Sequence, residues 1–111
     1  MTLDKLREIC MNFPGATEGI KWEDHICFMV GEKMFCVTGD EGGASLKVTP
    51  DEFEELTERD GISPQAYMAR NKWIRIEATA KLKPKEWAHY LRQSYELVAA
   101  KLPKKVRAAL H

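Results

Sequence analysis

The chain has 111 residues, 44% apolar and 31% charged, with 17 Lys/Arg balanced by 17 Asp/Glu. That length supports one domain, residues 1–111, with one core. The composition excludes a disordered chain, and no apolar run approaches the roughly 18 residues that a membrane span requires.

In chain order, Thr2 is placed to cap a first helix from Leu3 to about Asn12. Leu3, Leu6, Ile9, Cys10 and Phe13 share its apolar face, and Pro14-Gly15 ends it. A short strand is expected at Ile20–Glu23. Two apolar runs, Ile26–Val30 and Lys33–Thr38, flank Gly31-Glu32, the pattern of a hairpin with a two-residue type II′ turn. In that register Phe28 faces Phe35, Met29 faces Met34 and Cys27 faces Cys36. Ile26, Phe28, Phe35 and Val37 would share one face, and Cys27, Met29, Met34 and Cys36 the other. Both faces are apolar, so the hairpin is expected to be central or covered on both sides. The opposed cysteines raise a redox role, but in a reducing compartment two small buried apolar residues are the better reading.

Gly39–Gly43 is an acidic glycine loop, not a phosphate cradle, since it joins strand to strand without a lysine. Ala44–Val48 reads as the next strand. Thr49-Pro50-Asp51-Glu52 then combines a capping box with proline in the first helical turn, starting a helix to about Arg59 that buries Phe53 and Leu56. Asp60–Pro64 closes this helix, and residues 65–71 form a loop or short helical turn. Lys72–Glu77 alternates as a strand, with Trp73, or Ile74 and Ile76, facing the core and Lys72 and Arg75 outward. A long helix, Pro84 to Leu102, follows. From Trp87, apolar residues recur at Leu91, Val98 and Leu102, with Tyr90, Tyr95 and Leu97 widening the stripe, and Pro103 stops the helix. The fold class is α+β: an antiparallel sheet of four to five strands packed by N-terminal, middle and long C-terminal helices.

Chemistry-bearing motifs are few. The cysteines, Cys10, Cys27 and Cys36, form no C-x-x-C pair, and the histidines, His25, His89 and His111, show no ligand spacing. No metal and no cofactor are expected. No nucleophile elbow, triad or H-E-x-x-H pattern is visible, so the chain is not expected to be an enzyme; Glu23, Asp24 and His25 are the best catalytic cluster it offers. The N-terminus lacks the basic and apolar regions of a signal peptide, which makes a cytoplasmic location the expectation. Charge is the more informative signal. Residues 1–69 hold 6 Lys/Arg against 14 Asp/Glu, and residues 70–111 hold 11 against 3. Such asymmetry fits a polyanionic partner, or two halves that neutralise each other across the fold.

Several segments together carry a resemblance. They are Phe13-Pro14-Gly15-Ala16, Lys21-Trp22, Val30–Phe35, Leu46–Asp51, Asn71-Lys72-Trp73, Ser94–Val98 and Lys101–Lys105. In order and spacing they resemble the MmcQ/YjbR family of small bacterial proteins. The resemblance implies a CyaY-like, or double-wing, α+β fold and a role in DNA binding, with no catalytic residues to carry over. In this light the nucleic-acid-binding candidates are Arg70, Asn71, Lys72, Arg75, Lys81, Lys104 and Lys105: cations for phosphates, and an amide for phosphate or a base edge. The alternative is a protein- or small-ligand-binding adaptor. It would use the Met/Cys face of the hairpin with Trp22 or Trp73.

Overall fold

The first three helices start where side chains bond to backbone N–H groups at the N-terminal turn. The computed structural model describes residues 1–21, 24–39, 42–66 and 68–110. Thr2 Oγ1 accepts from the Lys5 N–H at 3.2 Å, opening α1 (Leu3–Met11). Thr49 and Glu52 exchange hydrogen bonds of 3.3 and 3.2 Å, the reciprocal box expected for α2 (Pro50–Leu56). At α3 (Pro84–Ala99) the Glu86 carboxylate accepts from the Lys83 N–H at 3.2 Å. A short α4 (Lys104–Ala108) follows Pro103.

The strands are β1 (Thr17–Lys21), β2 (His25–Val30), β3 (Lys33–Thr38), β4 (Ala44–Lys47), β5 (Ile62–Pro64) and β6 (Trp73–Ile76). They form one sheet in the order β1-β2-β3-β4-β6-β5, with every neighbouring pair antiparallel. The sheet has six strands, not four to five. The additional one, β5, is three residues long and too short to show alternation. Its Pro64 lacks an N–H and is tolerated because the strand lies at the sheet edge. β1 starts at Thr17, earlier than expected. The Trp22-Glu23 end of the expected strand, and Asp40-Glu41 of the acidic loop, lie outside the described residues.

The hairpin departs from its expected geometry in two ways. Gly31 (φ 55°) and Glu32 (φ 67°) both take left-handed conformations, so the turn resembles type I′ rather than II′. A Cβ on Gly31 would also stand 2.7 Å from a Leu102 methyl, so no larger residue fits there without displacing that side chain. Met29 does face Met34, but the register then shifts between Phe28 and Met29, pairing Phe28 with Cys36 and Cys27 with Val37. This bulge places one additional residue on β3, and a one-residue slip exchanges sheet faces. Cys36 therefore joins Phe28 and Phe35 in the main core, while Val37 packs with Cys27 and Trp73 in a second cluster on the other face. Cys27 and Cys36 are not opposed, and the expected cross-strand cysteine pair does not exist. All three cysteines are buried, and the hairpin is interior with both faces covered, as expected.

α3 crosses β3 and β4 and covers the main core with Trp87, Leu91 and Tyr95. Phe13, Phe35 and Tyr95 form an aromatic cluster with centroids 4.9 to 5.9 Å apart. The Tyr95 hydroxyl donates to the Pro14 carbonyl at 2.5 Å, tying α3 to the turn after α1. Helical bonding in α3 ends at Ala99 rather than Leu102. Lys101 and Leu102 instead make three-residue turns onto Val98 and Ala99, because Pro103 disfavours the α conformation just before it. That tightened turn drives Leu102 onto the hairpin tip and leaves Lys101 at the end of the sheet.

Candidate binding pocket

β3 begins, β4 ends and β6 begins at the same end of the sheet, since neighbouring strands run antiparallel. Lys47 there pairs with Trp73 across β4 and β6. The end of α3 closes over this edge and leaves a cavity of about 400 Å³. Its apolar lining is Met34, Met68, Trp73, Val98, Leu102 and Pro103, and its polar lining is Lys33, Lys47, Asn71 and Lys101. No carboxylate among the described residues lines it. Among the described residues the ion pairs use Arg7, Arg59, Arg92 and His89, and none uses a lysine.

Two backbone arrangements hold Lys47 in place. The buried Ser94 hydroxyl donates to the Phe35 carbonyl at 2.5 Å and accepts from the Lys47 N–H at 2.9 Å. The short helical turn Ala69–Asn71 ends in Lys72, whose left-handed backbone (φ 63°) follows directly on Asn71. The Asn71 carbonyl accepts from Lys47 Nζ at 2.8 Å. Burial, and secondarily the charge of Lys101, lower the Lys47 pKa from the ordinary lysine value. Lys33 and Lys101 are exposed. One cavity thus holds a half-buried lysine beside two exposed ones.

The sequence-predicted site residues separate. Asn71 lines the pocket, and Arg70 beside it is exposed. Lys72 does not lean outward; its Nζ stands 5.0 Å from the Phe53 ring centroid, held against α2 by a cation–π contact. Arg75 is exposed, on the same sheet face as Trp73 and between Ser45 and Ser63 in register. Lys81 lies in a different cleft with Arg59, Asp60 and Glu77, so acidic groups break the expected basic surface there. Lys104 and Lys105 are exposed on α4, just beyond Pro103.

Lys33, Lys47 and Lys101 were not singled out as a set. The signal was present, because the start of one antiparallel strand and the end of the next share a sheet end. The two halves meet through Arg59–Glu86 at 2.8 Å, where the cation comes from the acidic half and the carboxylate from the basic half, and through His89 and Glu52, 3.8 Å apart. Of the proposed catalytic cluster, Glu23 lies outside the described residues, and the His25 ring is engaged with the Thr38 carbonyl at 2.9 Å. No group of three metal-ligating side chains occurs among the described residues, and no described helix is long and apolar enough to cross a membrane.

Sheet order, helix placement and a cationic cavity at the sheet end define a small α+β domain built on one antiparallel sheet. The YjbR family model matches residues 11–97, and the chain belongs to the YjbR family. It is similar to a Deinococcus radiodurans protein, DR2400, described as a DUF419 domain. The two share 29% identity and a TM-score of 0.87 over 98% of this chain and 87% of that one. A Pseudomonas syringae protein shows the same fold in a crystal structure, at 21% identity and TM-score 0.71, covering 87% of this chain and 98% of that one. A solution structure from Pseudomonas syringae, at 22% identity and TM-score 0.60, covers 86% and 87%. No curated protein matches the chain.

Proposed function

We propose that the chain is a non-enzymatic binding module whose pocket takes a small organic anion with an apolar or aromatic body. The observation that carries this reading is the convergence of Lys33, Lys47 and Lys101 on a cavity lined by Met34, Met68 and Trp73 and, among the described residues, by no carboxylate. Ammonium groups without counter-charges leave the cavity with positive potential that an anion would neutralise. Methionines adapt to the shape of an apolar body, and the volume suits a ligand of one or two rings. The test is calorimetric titration with phenyl phosphate and with phenol. Phenyl phosphate is expected to bind, more weakly as salt rises and in the Lys33→Met/Lys101→Met variant, and phenol much less. Equal binding of the two, or none by phenyl phosphate at millimolar concentration, contradicts the reading.

A second reading is DNA binding across the same end of the molecule. It is favoured by the exposure of Arg70, Arg75, Lys104 and Lys105 and by their freedom from ion pairs among the described residues. Phosphate contacts of this kind release counterions, so binding to a labelled duplex should weaken steeply between about 50 and 200 mM salt. It should also fall when these four residues become alanine. No binding at the lower salt removes this reading and leaves the first intact.

A further inference from the structure

The three pocket lysines do not have equivalent surroundings. Lys33 and Lys101 are exposed, whereas Lys47 is half-buried, with its Nζ anchored 2.8 Å from the Asn71 carbonyl. Its backbone is fixed from beneath by Ser94, so the side chain leaves a rigid strand end. A partly buried amine that lines a cavity with a second cation is an arrangement that favours the neutral, nucleophilic form of lysine. The lowered Lys47 pKa agrees with that arrangement.

We infer that Lys47 captures carbonyl ligands covalently, forming a reversible Schiff base with a 2-oxo acid that carries an apolar group. This inference rests on the anion-binding reading of the same pocket. The carboxylate is held by Lys33 and Lys101, and the apolar group lies against Met34, Met68 and Trp73. The neutral Lys47 amine adds to the keto carbon, forming a C–N bond. Proton transfer gives a carbinolamine, and the former carbonyl oxygen leaves as water, producing the imine. The step consumes one amine and one carbonyl and releases one water, with no oxidation or reduction. The Asn71 backbone carbonyl, which accepts from the Lys47 amine, orients it.

The experiment incubates the intact chain with phenylpyruvate and sodium cyanoborohydride, which reduces any imine to a stable secondary amine, and maps the adduct by peptide mass spectrometry. Binding of phenyllactate, the hydroxy acid that cannot form an imine, is measured in parallel by calorimetry. The expected result is modification at Lys47 at least ~10-fold faster than at any other lysine, a modest gain for a reactant held in place. Excess phenyllactate should slow it, and Lys47→Arg, with folding checked by circular dichroism, should abolish it. Phenyllactate binding without preferential trapping at Lys47 overturns the covalent inference and leaves the anion-binding reading standing. Absence of both binding and trapping overturns the two together.

Discussion

The hydroxyl of Ser94 accepts a 2.9 Å hydrogen bond from the backbone N–H of Lys47, joining the middle of α3 to the last residue of β4. The same hydroxyl donates to Phe35 of β3, so one fully buried atom ties the helix to two strands. Ser94→Ala leaves a buried N–H and a buried carbonyl without this partner. The expected loss is about 1–3 kcal/mol, the cost of unsatisfied buried polar groups. Urea unfolding of the two proteins measures it, and pocket affinity should fall in parallel because the root of Lys47 is released.

Lys47 is predicted to titrate below the ordinary lysine value. Burial is the larger cause and Lys101 the smaller, and both disfavour its charged form. Lys101→Met should therefore move the Lys47 pKa upward, toward the ordinary value, without restoring it fully. Lysine side-chain carbon shifts followed by NMR against pH report this directly.

Stability should respond to acid through Glu86. Its hydrogen bond to Arg59, and then that to the Lys83 N–H, lower its pKa from the ordinary carboxylate value. The folded state therefore holds the deprotonated form better than the unfolded chain does. The resulting stability is present above the unfolded pKa and is lost as pH falls through the folded one. Glu86→Gln should flatten that part of the stability–pH curve. The effect should be small because the pair is largely solvent-screened.

The thiols should resist modification in the native state. The hydrogen bond with Cys10, together with burial, raises the Cys36 pKa well above the ordinary thiol value, and burial raises that of Cys27. Little thiolate is then available for attack. Thiol titration with a disulfide reagent should show negligible reaction in buffer and reaction of all three cysteines in guanidinium chloride.

Local rules made much of the fold legible. The cap at Thr2, the box at Thr49 and Glu52, and the apolar stripe from Trp87 to Tyr95 are each dictated by residues within a few positions of one another. The bulge in β2–β3 was not, because no alternation over five residues distinguishes a slipped register when both faces are apolar. Strand β5 was hidden by its length. The role of Lys72 depends on Phe53, nineteen positions earlier, and on a left-handed backbone that sequence periodicity does not signal. Ser94 carries no local signal of its role, since its partners, Phe35 and Lys47, are distant in sequence. The pocket was partly visible: Met34 and Trp73 belong to the surface expected to hold a ligand, while nothing local connects Lys33, Lys47 and Lys101 to it.

The most direct test of the pocket is NMR of methyl-labelled methionine during titration with phenyl phosphate. The account predicts shifts at Met34 and Met68, with Met1 and Met11 unmoved, and loss of those shifts when Lys33 and Lys101 are replaced by methionine and the new methyls are assigned. Shifts spread over all the methionines, or none at millimolar ligand, would contradict it.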